Sequence, residues 1–351
     1  MFNSDLNREK RLHELEEEWS EQWMKEIQKF WQARNWMKSN ESFLTTWHAH
    51  VGYKLDLFDS FAGGEKVQEV AEKEELNGQL LLRWVEVGLE VGHLKKTLTG
   101  KIKPKQKMLK YVSAKSKDSV GILLREMMEL HIPTLMQYPD LMQKNEQISY
   151  LEDKFANVVA ETSALLEKAS VPPMMKWVGK YKPNHIVDLG CGYGGYLKKI
   201  RETNDSVTLT GVEISEEVAK EAQEKVKDDG ITIVHDDLRN YIDKGEKVDM
   251  VMLHNLLYYY HPDERETLFL DVANLLNEKG TITVISPLTE AKHGQTFAAA
   301  FNTFMSAHEN LYPLPSEKEI EEYAKKAGLK VKMSKPIIKE GGWYLIGLEK
   351  K

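Results

Sequence analysis

Apolar residues recur at three- and four-residue steps through the first half of the chain and in short unbroken runs through the second. Residues 5–38 carry Leu12, Leu15, Trp19, Trp23, Ile27, Phe30 and Trp31 at helical spacing, which predicts one long helix. A second helix is expected over 43–61, then a helix-turn-helix with Asn77 and Gly78 at its turn. The Lys-rich, Gly-centred stretch KKTLTGKIKPKQKMLKYV reads as a hairpin, so the order of elements is that of a winged helix. Residues 116–145 are expected to be helical, with breaks at Pro133 and Pro139. Residues 150–170 then form an amphipathic helix, with Leu151, Phe155, Val158, Val159, Thr162, Leu165 and Leu166 on one side. It runs out through Pro172 and Pro173 and offers a wall to the pocket that follows.

From residue 186 the pattern changes. Apolar runs at 186–189, 208–213, 231–235, 248–253 and 280–287 alternate with helical stretches. A helix over 316–329, with Ser316 as N-cap, Glu319 at the capping-box position and Gly328 at its stop, precedes two last strands in LKVKMSKPII and GWYLIGLEK. Such alternation predicts an α/β, Rossmann-like open sheet, whose ligands bind at the carboxyl ends of the strands. A chain of 351 residues exceeds what one core usually serves. The expected domains are 1–145, helical and winged-helix-like, and 146–351, α/β.

Composition narrows the class. With 41% hydrophobic and 29% charged residues the chain is an ordinary globular protein, and a net charge of −7 argues against nucleic acid or an anionic membrane as its main partner. Lys95, Lys96, Lys101, Lys103, Lys105, Lys107 and Lys110 crowd the hairpin and invite a DNA-binding reading. The adjoining helix opposes it, because it sets Glu86 and Glu90 against a single Arg83. No apolar stretch approaches the length of a membrane span, and the first residues lack the apolar region of a signal peptide. The lone cysteine, Cys191, permits no intrachain disulfide, so a cytoplasmic protein is expected. Five of the eight tryptophans fall in the first 50 residues. A stripe of that size asks for cover, either by the second domain or by a second copy in a homodimer.

The chemistry gathers at HIVDLGCGYGG, residues 185–195, where a strand meets an acid and then a glycine-dense turn. Gly190, Gly192 and Gly195 satisfy the spacing of dinucleotide binders, but Asp188 would oppose a pyrophosphate and suits a cation. TLTGVEIS places Glu213 at the end of the next strand, positioned for ribose hydroxyls. ITIVHDDL places Asp236 and Asp237 at the end of the third, positioned for an adenine amino group. Taken together with VDMVMLHN, these stretches resemble the class I S-adenosylmethionine (SAM)-dependent methyltransferases over roughly residues 150–351. The resemblance implies a seven-stranded sheet with its last strand antiparallel. It assigns Asp188, Gly190 and Gly192, with Cys191 between them, to the methionine end of SAM. Glu213 goes to the ribose, Asp237 and Leu238 to the adenine beside Asp236, and His254 and Asn255 face cofactor or substrate. The amino-terminal segment is similar to that of bacterial and plant small-molecule O-methyltransferases, where it serves dimerisation and the substrate pocket.

Those O-methyltransferases carry L-H-D-W-x-D-E after the fourth strand, with His as general base. Here LHNLLYYYHPDE, residues 253–264, puts Tyr258 or Tyr259 in that place, and tyrosine with a pKa of about 10 is a poor base near neutrality. His254, His261 and, more remotely, His293 are the replacements at hand. Alternatively Tyr258, Tyr259 and Tyr260 hold an acceptor by hydrogen bonds and cation–π contact. Asn255 and Tyr258 have the N-x-x-Y spacing of amino-methylating nucleic-acid enzymes, but Leu256 and Leu257 replace that motif's prolines. Phe297, Phe301, Phe304 and Met305 form a helical stripe that is either core or acceptor pocket. No metal-ligand spacing is present. The expected activity is transfer of methyl from SAM to a small-molecule O-, N- or C-nucleophile. The competing readings are a SAM-sensing winged-helix DNA regulator and a nicotinamide-dependent oxidoreductase.

Overall fold

The chain divides between Leu124 and Arg125 into two units. The structure, a computed structural model, describes residues 2–150 and 152–351, with side chains from Gln22 onward except 151–154, 156 and 157, and before that those of Arg11 and Trp19. The side chains of Leu12, Leu15 and Leu151 therefore lie outside the described residues. The division falls earlier than the expected boundary near residue 146, and packing explains why. Leu130 sits in a core with Phe301, Phe304 and Met305, and the Tyr138 hydroxyl donates to the Thr303 carbonyl at 2.9 Å.

In the first unit the long helix spans Phe2–Ser39 and is followed by Glu41–Lys54 and Leu57–Ser60. The single helix expected over 43–61 is thus two, broken where Asp56 takes a left-handed φ of 52°. Helices Val67–Lys73 and Gly78–Glu90 meet at Asn77, whose side chain accepts from the amides of Gln79 and Leu80. Strands β1 (Leu94–Lys96) and β2 (Ile102–Pro104) pair antiparallel as the hairpin. Leu57, Phe58, Phe61 and Trp84 fill this unit's core, while Trp19, Trp23, Phe30 and Trp36 are 65–77% exposed.

The second unit carries β3 (His185–Leu189), β4 (Thr208–Glu213), β5 (Thr232–His235), β6 (Val248–His254), β7 (Leu276–Pro287), β8 (Leu329–Ile338) and β9 (Trp343–Lys350). They form one sheet of seven strands in the order β5-β4-β3-β6-β7-β9-β8. The first five run parallel, and β9 is antiparallel to both β7 and β8. Their apolar runs follow from burial on both faces: Ile186, Val187 and Leu189 are fully buried. The chain steps outward from β3 to β5 and returns beside β3 as β6, so the switch point of the sheet lies between β3 and β6.

One helix, Glu152–Tyr181, runs through Pro172 and Pro173 instead of ending before them. Proline's φ is compatible with a helix, and what it removes are the bonds back to the carbonyls of Lys168 and Ala169. Burial of Met174, Trp177 and Val178 in a core with Ile186 and Leu345 of the sheet outweighs that loss. The helix over Glu317–Lys326 opens as expected, with reciprocal bonds between Ser316 and Glu319.

Candidate active site

A crevice of about 1040 Å³ opens at the carboxyl ends of β3 to β6, roughly the size of a small-molecule site. Its floor is the glycine turn, where Gly190, Gly192 and Gly194 take φ values of 75°, 52° and 74°. Nothing lies within 4 Å of the place a Cβ on Gly192 would take, so the backbone there forms a cradle that a side chain would fill. Glu213 pins the turn: one oxygen accepts from the Gly192 amide at 2.9 Å and the other from the Ser215 amide at 3.0 Å. Each oxygen keeps a lone pair for a further donor.

Asp188, near the end of β3, is 1% exposed, and its Oδ1 has no hydrogen-bond partner. Burial, followed by the charges of Glu167 and Glu213, raises its carboxyl well above the usual range. Glu167 reaches the same crevice from helix Glu152–Tyr181, and burial pushes its carboxyl up to about 7. Glu167 belongs to no motif in the sequence, and its one signal is the polar stripe that Ser163, Glu167 and Ser170 form at helical steps beside the apolar face. At the other end, Asp237 caps helix Leu238–Asp243 by accepting from the Arg239 amide at 2.7 Å. Asp236 is engaged by Lys244 at 2.7 Å, which holds its carboxyl below the usual range.

At the end of β6, His254 is buried. Its Nε2 meets the Thr283 hydroxyl at 3.0 Å, its Nδ1 is unpartnered, and its ring stands edge-on to Tyr196. Burial lowers its pKa to about 3, so it stays neutral and is a poor proton acceptor near pH 7. Asn255, at φ 53°, accepts from the Trp343 indole at 2.9 Å. Tyr258 is buried with its ring 5.8 Å from that of Phe301, and desolvation raises its phenol far above the ordinary value. His254 is therefore poorly suited to the role of replacement base, and Tyr258, expected to be a poor base, is made a poorer one by its burial.

Every cofactor residue expected from the sequence lines the crevice, as do Tyr258 and Tyr259. His261 does not. It caps helix Pro262–Leu275, its Nδ1 accepting from the Asp263 amide at 3.3 Å, and its ring abuts Tyr312. The local demand of a helix start explains the residue. His293 also lies outside the lining, and Phe301, Phe304 and Met305 are core. Arg265, also passed over in the sequence, is 1% exposed and donates to the carbonyls of Leu257, Tyr260 and Pro313, bracing the tyrosine loop. Its signal was an arginine at the buried position of a helix whose next inward residues are Leu268, Phe269 and Val272.

Residues 186–280 match the family described as methyltransferase domain. A stretch of 121 residues is 29% identical to cyclopropane-fatty-acyl-phospholipid synthase of Escherichia coli K12, covering 34% of this chain and 28% of that protein. Another of 99 residues is 31% identical to carboxy-S-adenosyl-L-methionine synthase of Campylobacter curvus, covering 27% and 41%. The chain thus spans less than half the length of these curated relatives. Among solved structures, an O-methyltransferase family protein from Burkholderia thailandensis superposes with a TM-score of 0.77 at 16% identity, over 91% of this chain and 98% of that one. Human N-acetylserotonin methyltransferase, solved in complex with SAM, gives 0.74 at 15% identity over 91% and 97%. At such identities the likeness is one of fold. Residues 186–280 are a methyltransferase domain, and the chain carries the class I SAM-dependent methyltransferase fold behind an amino-terminal helical domain.

Proposed function

We propose that this protein transfers a methyl group from SAM to a small-molecule acceptor by in-line displacement. The observation that carries the reading is Asp188, a buried carboxylate with an unpartnered oxygen in a crevice that also holds Glu167 and Glu213. Such a site favours a cation and disfavours the pyrophosphate of a dinucleotide. Asp188 and the glycine turn suit the methionine end, Glu213 the ribose and Asp237 with Leu238 the adenine. When bound, SAM supplies a methyl group already activated on a sulfonium. The protein's share is alignment and exclusion of water.

Tyr150, Tyr258, Tyr259 and Asn310 line the crevice as well, and in this reading they supply its acceptor end. Tyr258 keeps its proton and His254 stays neutral near pH 7. These states favour acceptors that are nucleophilic without help, such as a neutral amine, a thiolate or an enolate, oriented by the tyrosines. Calorimetry is expected to give a dissociation constant on the order of micromolar for SAM, about −8 kcal/mol, and binding of S-adenosylhomocysteine. Heat with NADH and with neither of those would overturn the reading. A panel of amines, thiols, phenols and activated carbons, followed by release of S-adenosylhomocysteine, identifies the acceptor class.

We infer further that the exposed aromatic side chains of helix Phe2–Ser39 are covered by a second copy of the chain. Trp19, Trp23, Phe30 and Trp36 together exceed what a monomer usually leaves to water. Sedimentation is expected to give twice the chain mass, and Trp23→Glu with Trp36→Glu to shift it toward the monomer. A wild-type monomer at every concentration removes the dimer and leaves the methyltransferase reading intact. No helix among the described residues is long and apolar enough to cross a membrane, and a reducing cytoplasm suits the single buried thiol of Cys191.

A further inference from the structure

Glu167 enters the crevice from a different element than any other acid there, and its carboxylate lies against Gly195. A Cβ on Gly195 would stand 1.9 Å from Glu167 Oε2. Gly195 is not among the glycines with positive φ, so its backbone does not demand glycine; the neighbouring carboxylate does. Among the described residues no donor meets that carboxylate. Asp188 on β3 and Cys191 and Tyr196 after it feel its charge, Glu213 on β4 adds to the charge on Asp188, and none of the four is a cation. The lysine and arginine of the described crevice lining, Lys220 and Arg239, are paired with Glu216 at 2.5 Å and Glu264 at 3.0 Å. Beside this cluster, Asp188 itself turns an unpartnered, buried oxygen to the crevice.

We propose that Glu167 is a second binding carboxylate for the positive charge of the methyl donor, acting with Asp188, and that it discriminates the cationic donor from the uncharged thioether product. The proposal rests on the methyltransferase reading above. Burial and the repulsion of Glu167 and Glu213 hold Asp188 toward its protonated form, and burial does the same for Glu167, until a cation arrives. Ammonium and sulfonium together relieve that repulsion. The product retains the ammonium but has lost the sulfonium charge, so it relieves less. Because burial holds the Glu167 carboxyl at about 7, donor binding shifts it toward the ionised form and releases part of a proton near neutrality. Affinity for the donor therefore rises with pH across that range, since below it a proton must leave before the carboxylate can serve. Gly195 has its place in the same scheme as the residue that lets the carboxylate approach.

The test is calorimetry on the full chain with SAM and S-adenosylhomocysteine at about pH 6, 7 and 8, in two buffers of different ionisation heat. For the wild type, SAM affinity is expected to rise about tenfold from the lowest to the highest pH, with buffer-dependent heat from the released proton. Glu167→Gln is expected to bind SAM about tenfold more weakly at about pH 8, with the pH slope gone, and to bind S-adenosylhomocysteine within about threefold of the wild type. Gly195→Ala, which pushes the carboxylate aside, is expected to reproduce that loss, and Glu167→Asp to recover part of the slope. If the wild type binds neither compound, the methyltransferase reading fails. If it binds SAM but Glu167→Gln keeps affinity and slope, Glu167 alone is removed. Should Glu167→Gln not fold, a wild type without proton release and an unaffected Gly195→Ala would overturn the proposal.

Discussion

Asp188→Asn is expected to weaken SAM binding by about a hundredfold while making the protein harder to unfold. The first effect follows from losing a buried charge against an ammonium or sulfonium, about 3 kcal/mol, at about 1.4 kcal/mol per tenfold. The second follows from the cost of keeping that charge in the folded chain. Asp188 is buried with one oxygen unpartnered, and its folded-state pKa lies well above the ordinary 3.8. Between those two values the native state keeps a proton that the unfolded state has released, so stability falls as pH rises through the window. Asparagine has no charge to bury. The variant is expected to gain about 1–2 kcal/mol at about pH 8 and to lose Asp188's share of the pH dependence. Urea denaturation at about pH 5 and 8, beside calorimetry with SAM, reads both effects. A variant that loses affinity and stability together would show that Asp188 supports the glycine turn and does not bind the donor.

The parallel sheet was legible because its signal is local. Short apolar runs ending in Asp188, Glu213 and Asp236 need only strand geometry and a switch point to bring their acids into one crevice. The capping box at Ser316 and the turn at Asn77 were legible for the same reason. What escaped were polar residues whose partners are distant in sequence. Glu167 meets Gly195 through the packing of a helix on the sheet, and Arg265 meets Pro313 across a loop. Local rules also misled where burial outweighed them. Pro172 and Pro173 read as a helix end, yet Met174 and Trp177 bury enough apolar surface to carry the helix on. His261 reads equally as a replacement for the missing histidine and, from Pro262 and Asp263, as a helix start; it caps that helix. Asp237 belongs to both classes, capping a helix through one oxygen while it lines the crevice.

Arg265→Met is expected to cost about 3 kcal/mol of stability and to slow methyl transfer without weakening SAM binding. The guanidinium is 1% exposed, and its cost of burial is offset by bonds to the carbonyls of Leu257, Tyr260 and Pro313. Together with the Tyr312 amide, which donates to the Tyr258 carbonyl at 2.9 Å, these bonds tie the tyrosine loop to the segment before the last helix. Methionine matches the bulk but takes the guanidinium donor from the carbonyls of Tyr260 and Pro313 and one of two donors from that of Leu257, which keeps the Tyr260 amide, at about 1 kcal/mol or more apiece. Thermal unfolding is expected to begin about 10 °C lower. Lysine would restore the charge but not the planar fork that reaches separate carbonyls, so Arg265→Lys should recover little. Because Arg265 touches the loop of Tyr258 to Tyr260 and not the glycine turn, SAM affinity should stay within about threefold, while release of S-adenosylhomocysteine with a working acceptor falls at least about tenfold. Equal loss of donor affinity and turnover would mean that the loop serves the cofactor as well. An unchanged melting temperature would mean that water replaces the guanidinium, and the loop would then owe its shape to the packing of Tyr258 against Phe301.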